Sequence, residues 1–178
     1  YPVVLKPVNG NHGRGATINI QSWEQALEAL TIAKKISRGV ICEKFITGYD
    51  FRLLVINYKL VAAAKRTPAC VTGDGKSTIK ELIDAVNSDP RRGYGHEKVL
   101  TAIKLDEMTL NILKDRNLKL DDVIPKDEIL YLKKTANLST GGTSTDITDI
   151  VHPYNVFMAE RIARIIGLDI CGIDIMAS

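Results

Sequence analysis

A lysine carried out of an apolar strand into a glycine-rich loop suits polyphosphate, and the sequence opens with that arrangement. Tyr1-Pro2-Val3-Val4-Leu5 delivers Lys6, and Asn9-Gly10-Asn11-His12-Gly13-Arg14-Gly15 follows. Glycines let backbone N–H groups approach oxyanions closely, and Lys6 and Arg14 supply charge-assisted hydrogen bonds. No Gly-Lys-Ser/Thr closes the loop, which excludes the Walker pattern. A dinucleotide fingerprint needs a helix opening on the last glycine, whereas Ala16-Thr17-Ile18-Asn19-Ile20 alternates like a strand. Strand, loop, strand is either a flap laid over phosphates or a plain turn.

Three more groups carry chemistry. Asp50 and Arg52 fall two apart in Asp50-Phe51-Arg52-Leu53-Leu54-Val55-Ile56, so period two puts them on one sheet face and Phe51, Leu53 and Val55 on the other. That pair is either a solvated edge or one wall of a cleft. Ala136-Asn137-Leu138-Ser139-Thr140-Gly141-Gly142-Thr143-Ser144 is rich in hydroxyls and holds adjacent glycines able to wrap an anion, the alternative being a simple linker. Asp174 sits inside the apolar run Leu168 to Met176, which reads as a buried strand. A carboxylate there needs a partner. A hard cation such as Mg²⁺ and a lysine or arginine both meet that need.

The elements that must position these groups follow from periodicity. Ser22-Trp23-Glu24-Gln25 has the form of a capping box, and Ala26, Leu27, Leu30, Ala33 and Ile36 recur at helical spacing up to Gly39, which suits the C-terminal cap. Val40 to Ile46 reads as a buried strand with a short connector. Asp50–Ile56 pairs through Asn57-Tyr58-Lys59 with Leu60 to Arg66 as a hairpin. A short amphipathic helix over Ser77 to Ser88 carries Ile79, Leu82, Ile83 and Val86, a polar loop follows over 89–97, and a second helix covers Asp106 to Arg116. Ile129 to Lys133 is a strand. His152-Pro153 opens a last helix whose stripe is Val156, Ala159, Ile162, Ala163 and Ile166, ended by Gly167.

The 178 residues are enough for a real core, and 24 basic against 21 acidic residues leave a net charge of only +3. No Lys/Arg run marks a nucleic-acid surface, and no apolar span reaches membrane length. Cys42, Cys70 and Cys171 lie far apart among apolar residues, as buried reduced thiols of a cytoplasmic protein would. A start inside a strand and a stop just after an apolar run read as a piece excised from a longer chain.

In order, these pieces resemble the ATP-grasp family of carboxylate–amine ligases along nearly the whole chain. Within it, Asp-Gly-Lys-Ser-Thr-Ile at 74–79, Asp-Pro-Arg-Arg-Gly at 89–93, Gly-His-Glu at 95–97 and Ala-Asn-Leu-Ser-Thr-Gly-Gly-Thr at 136–143 look like the ATP-grasp module of the cyanophycin synthetases. The bifunctional γ-glutamylcysteine–glutathione synthetases share much of this set. The loop at 11–15, Val99-Leu100-Thr101 and His152-Pro153 favour the former.

The resemblance implies an α+β ATP-grasp fold, incomplete here, with two α+β subdomains and the nucleotide between them. Residues 1–48 would be the small lid subdomain. Residues 49–178 would be the large one, truncated at its C-terminus and carrying an inserted lobe at about 72–133. It further implies that Lys6 contacts the nucleotide phosphates and that residues 9–15, with His12, Gly13, Arg14 and Gly15, form the lid over them. Glu43, Lys44, Phe45 and Ile46 would pair with and wall the adenine, and Asp50 would hold the ribose. Arg52, Arg66, Ser139, Asn137, Thr140, Gly141 and Gly142 would hold the acceptor carboxylate and the transferring phosphate. Asp174 would be the first Mg²⁺ ligand, the second set lying beyond Ser178, so that the fragment alone should be inactive. ATP, Mg²⁺, a peptide or polymer carboxylate and an amino acid are the implied ligands, and a homo-oligomer of a longer chain is the implied assembly. Aspartate addition to the cyanophycin backbone is the expected reaction; glutathione synthesis and a non-catalytic nucleotide-binding module are the alternatives.

Overall fold

The computed structural model describes residues 2–10, 14–95 and 97–177. The chain forms two compact units, Tyr1–Gly48 and Tyr49–Ser178.

In the first unit, β1 (Val3–Pro7) pairs antiparallel with β2 (Thr17–Ile20) on one side and β3 (Val40–Lys44) on the other. Helix α1 (Trp23–Lys34) packs on this sheet, and Leu5, Ile20 and Ala29 make a small core with Val3, Ala26, Leu30 and Val40 at its margin. The strand–loop–strand reading of the flap holds. Several finer expectations do not. The Ser22 hydroxyl accepts from Gln25 N–H, but the Gln25 side chain accepts from Gln21 N–H instead of Ser22, so the box is opened by one residue. The helix stops at Lys35, and Gly39 instead accepts a bond from Val8 N–H. Its buried face carries Ala29 and Ala33, while Leu27 and Ile36 are exposed. Strand β3 is largely exposed, Cys42 included, because it lies at the edge of a three-stranded sheet too small to bury its side chains.

The second unit is built on an antiparallel sheet of order β10-β5-β4-β11. Strands β4 (Tyr49–Ile56) and β5 (Lys59–Thr67) form a hairpin in which Asn57 and Tyr58 both take positive φ, the geometry of a tight two-residue turn. From one face Leu53, Val55 and Ala63 meet Ala159 and Ala163 of the last helix. The small alanines let that helix lie close on the sheet; Ile162 and Ile166, expected inside, are exposed at its flank.

A lobe between β5 and β10 (Thr143–Asp146) has its own core. It comprises β6 (Cys70–Thr72), α2 (Ile79–Asn87), a two-residue parallel pair β7 (Arg92–Gly93) and β8 (Leu100–Thr101), α3 (Glu107–Asp115) and β9 (Ile129–Tyr131). Val71, Ile79, Ile83, Leu113, Ile124, Leu130 and Leu132 are its almost fully buried centre. Thr78 and Glu81 cap α2 reciprocally, each side chain bonding the other's backbone N–H. Both lobe helices fall where periodicity puts them.

Helix α4 (Pro153–Ile166) ends on Gly167 in the left-handed conformation, and β11 (Ile170–Ala177) returns beside β4. Among the described residues β11 pairs on one side only, with β4, and its alternate residues, Asp174 among them, are exposed where a buried strand was expected. Cys70 and Cys171 are half-buried. No helix among the described residues is long and apolar enough to cross a membrane.

Candidate functional site

In the first unit, Lys6 and Glu43 meet. Lys6 is opposite Ile41 and Glu43 opposite Val4, so the two are diagonal neighbours on one sheet face, and Lys6 Nζ lies 2.7 Å from Glu43 Oε2. Both are about half exposed, which leaves the lysine in water and exchangeable. Phe45 is half-buried and extends the β1/β3 ladder by donating its N–H to Pro2 O at 2.9 Å; Lys44 and Ile46 are exposed. Arg14 is exposed and Gly15 half-buried with φ 71°. His12 and Gly13 lie outside the described residues.

In the second unit, strand register brings four charges together. Asp50 stands opposite Arg66 across β4/β5, and Asp174 opposite Arg52 across β4/β11. Asp50 and Arg52 share a face, so the two cross-strand pairs join. Arg66 Nε and Nη2 each lie 2.6 Å from Asp50 Oδ1, and Arg66 Nη2 reaches on to Asp174 Oδ1 at 3.1 Å, where Arg52 Nε also arrives at 2.8 Å. Of the two readings left open for Asp174, the arginine partner is the one realised here. Exposure rises across the group, from 15% for the Arg66 side chain to 56% for Asp174. Both contacts are to Asp174 Oδ1, and more than half of the Asp174 side chain is exposed.

Gly172 was missed from sequence. A Cβ there would come within 2.5 Å of Arg52 Nη1 and 3.2 Å of its Cδ, so the missing side chain is the space in which the guanidinium lies. A glycine inside a strand two residues before Asp174 was the available signal.

The segment 137–142 enters the same sheet through β10, whose Thr143 and Ser144 stand opposite Thr67 and Arg66. Leu138–Thr140 makes one 3-10 turn capped by Gly141 with φ 95°. The N–H groups of Thr140 and Gly142 return to Asn137 O and that of Gly141 to Leu138 O, all at 3.2 Å. The glycine amides therefore do not wrap an anion: short-range turn bonds claim them. The glycines are needed for space, since a Cβ on Gly142 would lie 2.8 Å from both Asn137 O and Thr67 O. Ser139 is exposed at the tip, Asn137 and Thr140 are half-buried, and Thr140 Oγ1 donates to Asn137 O at 3.0 Å. Arg92, also missed, donates from Nη1 to Gly141 O at 3.0 Å.

Among the described residues no group of three or more His, Cys, Asp or Glu side chains is gathered as a metal cage. What is gathered is a sheet face with two guanidiniums and two carboxylates beside a hydroxyl-bearing turn, a surface that can hold oxyanions and present one carboxylate to a hard cation.

No family model matches the chain. It is 58% identical over 178 residues to a cyanophycin synthetase of Crocosphaera subtropica, which covers 99% of this chain and 20% of that protein. To the cyanophycin synthetase of Synechocystis sp. it is 53% identical, covering 100% of this chain and 21% of the relative. A glutathione biosynthesis bifunctional protein of Listeria monocytogenes is 42% identical over 98% of the chain and 23% of its own length. The crystal structure of a bifunctional glutathione synthetase from Pasteurella multocida superposes with a TM-score of 0.70 at 34% identity, over 98% of this chain and 24% of that one. The chain thus spans about a fifth of the length of the curated relatives it matches. It has the ATP-grasp fold and aligns from end to end with a single segment of the cyanophycin synthetases.

Proposed function

We propose that this chain is the amide-forming, ATP-dependent carboxylate–amine ligase segment of a longer, cytoplasmic enzyme, and that the enzyme adds aspartate to the C-terminal carboxylate of a cyanophycin backbone. The observation that carries the reading is the paired Asp50–Arg66 and Arg52–Asp174 face beside the 137–142 turn. The higher identity to the cyanophycin synthetases than to the glutathione proteins supports the polymer substrate.

Chemically, the acceptor carboxylate oxygen attacks the γ-phosphorus of ATP and ADP leaves, giving an acyl phosphate. The amine of the incoming amino acid then attacks the acyl carbon, loses a proton and expels phosphate. No protein nucleophile takes part, so the chain has only to bind, align and stabilise charge. Arg52 and Arg66 would hold carboxylate and phosphate oxygens, with Ser139, Asn137, Thr140, Gly141 and Gly142 shaping the acceptor seat. Lys6, Arg14 and Gly15, with His12 and Gly13, would cover the phosphates; Glu43, Lys44, Phe45 and Ile46 would line the base and Asp50 the ribose. The half-exposed Lys6 and Arg52 fit anionic ligands, because their present partners are carboxylates that an incoming phosphate can replace.

Mg²⁺ fits the donor set to the extent of one ligand. It commonly takes one or two protein carboxylates with phosphate oxygens and waters, and Asp174 offers an exposed carboxylate. When bound, Mg²⁺ would neutralise phosphate charge.

The test is phosphate release by the full-length protein with ATP and Mg²⁺, comparing a cyanophycin primer plus aspartate with γ-glutamylcysteine plus glycine. Release with the first pair is expected. Release with the second pair alone transfers the segment to glutathione synthesis, and release with neither removes the ligase reading.

A further inference from the structure

Arg92 is the one arginine among the described residues that is buried, at 8% exposed, and no carboxylate among them lies within ion-pair reach of it. Its Nη1 instead donates to two backbone carbonyls from segments forty residues apart, Thr101 O at 2.6 Å and Gly141 O at 3.0 Å. Thr101 belongs to β8, held to β7 by Leu100 N–H on Arg91 O and Ala102 N–H on Gly93 O. The same connection reaches Gly141 a second time, through Ile103. Asn87, the last residue of α2, brackets Ile103, donating from Nδ2 to its carbonyl at 2.9 Å and accepting from its N–H at 2.8 Å. Ile103 in turn abuts Gly141, where an added Cβ would come within 2.8 Å of Ile103 Cγ1.

A buried guanidinium that feels the Asp89 carboxylate only from beyond ion-pair distance, that carboxylate being bound to Arg91, is a costly way to tie two carbonyls, and a neutral amide would do it with less desolvation. Its charge has a use if the turn it holds must receive an anion. We propose that Arg92 is a positioning residue for acceptor binding. By gripping the Gly141 carbonyl it fixes the Leu138–Thr140 turn, and with it the aim of Ser139 and Asn137, and it lends that turn positive potential. The inserted lobe is thereby the scaffold of the acceptor seat, with Asn87 and Ile103 as its second prop. This rests on the reading that the 137–142 turn receives the acceptor carboxylate.

The experiment uses the full-length enzyme with Arg92→Met, Arg92→Lys and Asn87→Ala, with Ser139→Ala as the probe of the underlying reading. The acceptor KM of Arg92→Met should rise about tenfold or more, with the KM for ATP within about twofold. Arg92→Lys, which keeps the charge but not the fork, should fall between it and wild type. Asn87→Ala, which keeps Arg92, should show a smaller rise of the same kind. Hydrogen exchange in the peptide spanning 136–143 should quicken in Arg92→Met without quickening in β4 or β5. Equal rises in both KM values, or unchanged exchange at 136–143, would overturn the proposal and leave Arg92 a packing residue. If Arg92→Met fails to fold, Arg92→Lys and Asn87→Ala decide alone, and an unchanged acceptor KM in both defeats it. If Ser139→Ala leaves the acceptor KM unchanged, the acceptor reading itself fails. If Ser139→Ala raises it and Arg92→Met does not, only the role of Arg92 is lost.

Discussion

The second unit holds two sets of cations and carboxylates built to opposite ends. On the sheet, Asp50, Arg66, Asp174 and Arg52 meet on a face where three of the four side chains are between about a quarter and a half exposed. In the lobe, the Lys133 side chain is 2% exposed and donates to Asp106 and to Thr109 Oγ1, the latter at 2.9 Å. Asp106 also caps α3 by accepting from Thr109 N–H. Burial pushes the Asp106 carboxyl up, but the Lys133 and Thr109 bonds outweigh it, and the net effect is a lowered pKa. The wet set is held weakly enough to trade partners, since exposed pairs contribute at most about 1 kcal/mol. The second set is fixed at its dry end, because parting it strands the buried Lys133 ammonium, although Asp106 itself is 48% exposed. A binding face needs the first property and a scaffold the second.

Substitutions in the two sets should therefore separate activity from stability. Asp174→Asn in the full-length enzyme should lower turnover by roughly 100-fold or more, while thermal melting moves only a few degrees. A melt lowered as by a core deletion, with turnover falling only in step, would make the sheet face structural. Lys133→Met should do the reverse. Removing the ammonium takes the lysine's bonds from Thr109 Oγ1 and from Asp106, which is half exposed and keeps its Thr109 donors, a loss of about 1 kcal/mol read from the urea midpoint, with the KM for ATP unchanged. A neutral result would mean that the methionine's packing offsets the lost bonds and that the dry set is no scaffold.

The smallest effect concerns the lobe's exposed turns. Asp74 is held down to about 2, first by Ser77 N–H, then by the Ser77 hydroxyl and Lys76 N–H. Asp89 is likewise held at about 2, chiefly by the Arg91 side chain. A depressed carboxylate stabilises the fold fully above its unfolded value near ~4, and that contribution is lost as pH falls through about 2. Carboxyl carbon titration by NMR should give both midpoints well below the other exposed aspartates. Midpoints at the ordinary value would show that these turns are open in solution.

Much of the local structure was legible in the sequence. Helices α2, α3 and α4 and the β4/β5 hairpin fall where periodicity and turn residues put them, because those signals are set by neighbours in the chain. The alternation through Asp50 and Arg52 also held: Leu53 and Val55 are buried and Arg52 faces out. Strand order was beyond local pattern. An apolar run reads as buried, yet among the described residues nothing buries Cys42 of β3 or Asp174 of β11, and both are exposed. The glycines of 141–142 looked like anion donors, but their N–H groups close a turn.

What the sequence by itself determined is which residues share a strand face, where helices start and which groups carry charge, since all of these follow from period and side-chain chemistry. The tertiary structure alone decided that Arg66 stands against Asp50 and Asp174 against Arg52, that Gly172 leaves room for a guanidinium, and that Arg92 is buried on the Gly141 carbonyl. Each depends on register between segments distant in sequence. A one-residue slip between the strands would have turned Arg52, Arg66, Asp50 or Asp174 to the opposite face.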